Sequence, residues 1–198
     1  MIVVIDSGVA NLRSVANALN FLGASMHITD TPAELTRADK IILPGVGAFE
    51  AGMNTLRARH FINPLREYAA RGVPILGICL GMQLIFERSE EMGDHEGLGL
   101  IPGSVVRFPP GEKVPHMGWN QLTIQRESPL VVGINDGAYA YFVHSYYAQT
   151  APEHVIAACA YSVSFPAVVA RGNVYGAQFH PEKSQTTGLQ LLRNFMVM

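Results

Sequence analysis

The first hundred residues alternate short apolar runs with stretches of helical spacing, and this alternation lets most elements be placed. Residues 2–6 form an apolar, strand-like run; residues 11–22 repeat apolar side chains at three- and four-residue intervals and end at Gly23; residues 25–29 are strand-like again. Residues 40–43 make the next strand, stopping at Pro44, and residues 50–71 have helical pattern with a break expected near Asn63 and Pro64. A fourth apolar run, 74–78, leads into helix-favouring residues 80–88. Runs apolar on both faces and separated by helices predict parallel pairing within a covered sheet.

Beyond residue 97 the pattern changes to short β-rich runs punctuated by Gly and Pro. Residues 105–108, 121–125, 138–147, 155–161, 167–170 and 174–179 read as strands, several of them in hairpins, and residues 186–196 as a closing helix. With no repeat, linker or low-complexity segment, the predicted fold class is α/β. A single domain over 1–198 is expected, with a mostly parallel central sheet flanked by helices and a β-rich second half.

Composition narrows the function classes. A chain of 198 residues that is 48% hydrophobic and 15% charged can bury one substantial core. A net charge of −2 without Lys/Arg clusters argues against nucleic acid as a partner, and no segment nears the ~20 apolar residues of a membrane span. The first six residues lack the basic leader of a signal peptide, and two cysteines at unrelated positions form neither a disulfide framework nor a metal site. The expectation is a reduced, cytoplasmic protein without metal or cofactor. Eight methionines leave room for an apolar surface that meets a partner.

Candidate chemistry begins at residues 74–83, PILGICLGMQ, where a buried strand must turn into a helix at Cys79. A side chain on that corner stands clear of the sheet, and the helix N-terminus behind it offers unpaired N–H groups and positive potential. Gly77 and Gly81 flank the cysteine at i−2 and i+2, the spacing of the nucleophile elbow of serine hydrolases. Cys159 has neither flanking glycine nor a strand-to-helix switch and reads as core.

A cysteine nucleophile needs a base and a group to orient it. Of seven histidines, His180 alone follows a strand and opens the loop His-Pro-Glu-Lys-Ser, so it can meet Cys79 at the carboxyl edge of a parallel sheet. Glu182, beyond the stiff Pro181, is placed to turn back onto the imidazole. His116 and His144 are secondary candidates; His27 lies in a strand, and His60, His95 and His154 have polar surroundings. One oxyanion donor is the N–H of Leu80, and the loop Pro44, Gly45, Val46, Gly47 can supply another. Gln83, one helical turn after Cys79, shares its face.

GICLGMQ at 77–83 together with FHPEKS at 179–184 resembles the class I, triad-type glutamine amidotransferases. The resemblance implies that Cys79 attacks the side-chain amide of L-glutamine to give a glutamyl thioester and ammonia, with His180 as acid and base and Glu182 orienting it. PGVGAF at 44–49, Ser-Glu-Glu at 89–91 and PHMGWN at 115–120 are similar to the glutaminase subunits of imidazole glycerol phosphate synthases, which belong to histidine biosynthesis. That likeness covers essentially the whole chain. It implies oxyanion donors at Val46 and Leu80, and a glutamine pocket of Gly47, Gln83, Glu91, Ser145 and Tyr146. Met117, Trp119, Asn120 and Lys183 would face a cyclase subunit that receives the ammonia in a heterodimer, and Trp119, the sole tryptophan, sits in a loop suited to such a contact. Glutaminase components of anthranilate and aminodeoxychorismate synthases share the triad but usually place histidine where this chain has Met82, and lack a counterpart of PHMGWN. The reading outside the enzymes is a regulatory module of the same fold, against which the intact Cys79, His180 and Glu182 set argues.

Overall fold

The computed structural model describes residues 1–8 and 10–198. Its first half is β1 (Ile2–Ile5), α1 (Leu12–Phe21), β2 (Met26–Thr29), β3 (Lys40–Gly45), α2 (Phe49–Ala58), α3 (Ile62–Ala70), β4 (Ile75–Cys79) and α4 (Leu80–Leu84). The second half is β5 (Phe86–Ser89), β6 (His95–Glu96), β7 (Ile101–Arg107), β8 (His116–Gln121), β9 (Thr123–Ile124), β10 (Tyr139–His144), β11 (Tyr146–Gln149), β12 (Val155–Tyr161), β13 (Val163–Arg171), β14 (Val174–Ala177) and α5 (Gln185–Val197).

The central sheet runs β2-β1-β3-β4-β14-β13-β12-β9. Its first five strands pair in parallel and the last three antiparallel, so the mostly parallel expectation holds for the half that carries Cys79. Along β1, Ile2 and Val4 pack into one core and Val3 and Ile5 into the other. This is the two-residue period of a strand covered on both faces. Two smaller sheets, β10-β8 and β11-β7-β5-β6, complete the β-rich half.

Several boundaries differ from the pattern. The helix expected over 80–88 stops at Leu84, and Phe86–Ser89 is a strand. Residues 97–101 return alongside it, and the N–H groups of Leu98, Gly99 and Leu100 donate to the carbonyls of Leu84, Phe86 and Ile85, which a longer helix would have used. The break expected at Asn63 and Pro64 falls earlier, at His60 (φ 60°), and Pro64 sits in the first turn of α3, where its missing N–H is not needed. The single run 138–147 is two strands parted at Ser145, because β10 pairs with β8 and β11 with β7. PHMGWN, expected as a loop, is mostly strand β8. Strand β3 extends past Pro44 to Gly45, which lies opposite Cys79.

Candidate active site

Two glycines make the Cys79 corner possible. A Cβ on Gly77 would lie 2.5 Å from the Gly81 carbonyl oxygen, and a Cβ on Gly81 would run into the Leu43 carbonyl. Strand β3, the elbow and α4 are therefore packed backbone to backbone, which only glycine permits. Cys79 takes the strain of the turn at φ 54°, ψ −110°, rare for an L-residue. The end of β3 is pressed close as well: a Cβ on Gly45 would be 3.0 Å from the Leu80 Cβ.

Strand β14 neighbours β4 in parallel, with Ala177 opposite Ile78, so the chain leaving β14 delivers His180 to the edge where Cys79 emerges. His180 is 3% exposed and fixed from three sides. Its N–H donates to the Tyr141 carbonyl at 3.0 Å, its carbonyl accepts from Ser184 Oγ at 2.7 Å, and Nδ1 meets Glu182 Oε1 at 2.8 Å. Glu182, folded back by the turn at Pro181–Lys183, is equally buried on its side chain. Burial opposes the imidazolium, but the Cys79 sulfur and the Glu182 carboxylate outweigh it and push the His180 pKa up to about 10. His180 Nε2 makes no hydrogen bond of standard geometry among the described residues. Buried, oriented and with its pKa held up, this imidazole is placed to hold a proton for a leaving group.

A cavity of about 250 Å³ opens over this pair and is lined by Cys79, Leu80, His180, Val46 and Gly47. Gln83, Glu91, Ser145 and Tyr146 complete its wall, so the residues expected around glutamine are brought together. Gly45 is buried in the sheet below, opposite Cys79, outside the lining. Glu91 also acts away from the cavity. Its Oε2 accepts the N–H of Phe49 at 2.6 Å, capping the start of α2 and anchoring the end of the loop that carries Val46 and Gly47. Gln83 Nε2 donates to the Tyr146 carbonyl at 3.0 Å and to Gln178 Oε1 at 3.1 Å.

The residues expected at a partner surface lie next door. Strands β8 and β10 face outward with Trp119 opposite Tyr141 and Met117 opposite Val143, and Val143 also lines the cavity. Met117 is 63% and Trp119 46% exposed; the Trp119 and Tyr141 rings meet edge-on at 6.0 Å, and Lys183 Nζ lies 6.0 Å from the Tyr141 ring centre. Asn120 points the other way, into the molecule, with Nδ2 donating to the Ala160 carbonyl at 2.9 Å.

The two secondary histidines are buried and neutral. Burial drives His116 down to about 4, and burial drives His144 down to about 3 against the opposing bond to the Tyr146 carbonyl. Cys159 is buried in the core, where desolvation pushes its thiol up to about 12. Three contributors escaped the sequence reading: Gln178, Ser184 and Val143. Gln178 is a polar residue in the otherwise apolar run before His180, which was the available signal; Val143 gives none, because its position beside the cavity depends on strand pairing. Among the described residues, no group of three or more His, Cys, Asp or Glu side chains could hold a metal, and no helix is long and apolar enough to cross a membrane.

Comparison with known proteins identifies the family. The family model for glutamine amidotransferase class-I matches residues 3–198. A protein of Desulfitobacterium hafniense (strain Y51), imidazole glycerol phosphate synthase subunit HisH, is 55% identical over 196 residues, covering 98% of this chain and 93% of the relative. HisH proteins of Syntrophotalea carbinolica and Bacillus cereus (strain B4264) are 52% and 51% identical, each over 98% of this chain and over 98% and 93% of the relative. A solved glutamine amidotransferase shares the fold at a TM-score of 0.78 and 20% identity, covering 98% of this chain and 97% of its own. The structure of PurLQS from Thermotoga maritima does so at 0.77 and 21%, covering 99% and 97%. Sequence match along nearly the whole chain and a shared fold lead to one conclusion: this chain belongs to the class-I glutamine amidotransferases.

Proposed function

We propose that this chain is a single glutaminase domain, residues 1–198, that serves as the glutaminase subunit of imidazole glycerol phosphate synthase. The observation that carries the reading is the cavity that gathers Cys79 and His180, with Glu182 bonded behind the imidazole, in a chain 51–55% identical to HisH proteins. In this reading Cys79 Sγ attacks the side-chain carbonyl carbon of glutamine, and the N–H groups of Leu80 and Val46 receive the oxyanion. His180 protonates the amide nitrogen, the C–N bond breaks, and ammonia leaves a glutamyl thioester. A water molecule, losing its proton to His180, then cleaves the thioester to glutamate and restores the thiolate.

The ammonia is delivered to a cyclase subunit docked over Met117, Trp119 and Lys183. That face adjoins the cavity through Val143, so a partner there would seal the site and take the product without release to water. The test is to mix the purified chain with the cyclase subunit and supply glutamine as the only nitrogen source. Imidazole glycerol phosphate should form only when both chains are present. No complex and no product with an active cyclase would overturn the subunit assignment.

A further inference from the structure

His116 and His144 take no part in the chemistry above, yet His144 lines the cavity, a hydrogen-bond chain ties His116 to it, and the donor directions of that chain can be assigned one at a time. The Tyr146 carbonyl can only accept, so His144 Nδ1, 2.8 Å away, carries the proton. In the neutral ring Nε2 is then the lone-pair nitrogen, and His116 Nδ1 at 3.1 Å donates to it. His116 Nε2 is left as an acceptor facing Asn120 Nδ2 at 3.4 Å. The Asn120 amide is oriented independently, because its Oδ1 accepts the Gln121 N–H at 2.8 Å.

At the cavity end the Tyr146 carbonyl uses its second lone pair for Gln83 Nε2, whose other proton goes to Gln178 Oε1. Both donors of Gln83 are thereby occupied. What remains free on a side chain that lines the cavity is Oε1, an acceptor only. A flipped amide would instead turn two N–H groups toward the nitrogen donors of a bound glutamine.

We infer that His116 and His144 are positioning residues for substrate recognition: each in a single tautomer, they fix the Tyr146 carbonyl and through it the Gln83 amide, so that the cavity offers glutamine an acceptor. The inference rests on the glutaminase reading. It also explains two buried rings, packed among Phe108, Phe142 and Phe165, that a hydrocarbon core would not require. Strand β8 carries His116 inward and Met117 and Trp119 outward, so the outer face and the pocket hang on one strand.

The experiment is steady-state glutamine turnover by the chain in complex with its cyclase partner, for His144→Ala, His144→Asn and His144→Gln. An Asn nitrogen occupies the place of Nδ1 and can still donate to Tyr146; a Gln nitrogen sits near Nε2 and cannot. His144→Ala should raise KM about tenfold with kcat changed less than threefold, the signature of a lost orienting hydrogen bond. His144→Asn should recover most of that loss and His144→Gln none. Alkylation of Cys79 by iodoacetamide should keep its rate in all three. An unchanged KM in the alanine variant, or equal behaviour of Asn and Gln, would overturn the inference. Should position 144 not tolerate change, His116→Asn and His116→Gln pose the same question, Asn holding KM and Gln raising it, and the reverse order or no difference counts against the proposal. Absence of turnover by the unmodified complex would instead indict the glutaminase reading.

Discussion

Cys79 occupies a backbone conformation that costs an L-residue about 1–3 kcal/mol, and it persists because its neighbours leave no relaxed alternative. Gly81 is the clearest of these constraints. A methyl group there would overlap the Leu43 carbonyl, so Gly81→Ala should destabilise the fold by about 3 kcal/mol or more, read as a lowered urea midpoint. Wild-type stability in that variant would contradict the backbone packing at the elbow. The histidines make opposite predictions for pH. His180 is raised from 6.5 to about 10, so its share of stability is complete below about pH 6.5 and is lost as pH rises towards 10. His116 and His144 are depressed to about 4 and about 3, so theirs is present above pH 6.5 and lost as pH falls through that window. Following the His180 ring protons by NMR separates the causes. Cys79→Ala and Glu182→Gln should each move its midpoint downward, and an unmoved midpoint in both would remove the coupling on which the acid and base roles depend.

Elements delivered by strong local patterns were legible in the sequence, and those delivered by distant partners were not. β1 and β4 are buried on both faces and read as uninterrupted apolar runs, and the grouping of Cys79, His180 and Glu182 was legible because the elbow glycines and the His-Pro-Glu turn each lie within a few residues. Helix α4 was over-extended because the carbonyls that end it are claimed by residues more than ten positions away. The cavity over Cys79 is assembled from several separated chain segments for the same reason, since Ser145 reaches it only where β10 and β11 part company. Glu91 shows an element-scale role that sequence pattern could not give, a carboxylate holding the N-terminus of α2 from 42 residues away. Glu91→Ala should cost about 1 kcal/mol of stability and lower glutamine turnover, because the loop that brings Val46 and Gly47 to the cavity ends at that helix. Denaturant melts and glutaminase assays check the two halves separately. Full stability in the variant would show that the capping bond is not needed.

Across the whole molecule, the parallel half of the sheet positions Cys79 and the β-rich half builds the face beside it. Trp119, with Tyr141 behind it and Met117 along the same strand, is the large apolar anchor of that face. Trp119→Ala should weaken binding of the cyclase subunit by about thirtyfold, a loss of about 2 kcal/mol typical of a hot spot, while Cys79 keeps its alkylation rate. Calorimetric titration reads the first effect, and an unchanged affinity would move the interface elsewhere. The division of labour between two chains is tested most directly by Cys79→Ala in the reconstituted complex, assayed with glutamine and, in parallel, with ammonium as nitrogen source. Synthesis of imidazole glycerol phosphate should vanish with glutamine and persist with ammonium, because the thiol is needed only to liberate ammonia. Loss of both activities in an intact complex, or survival of the glutamine-dependent one, would contradict the account.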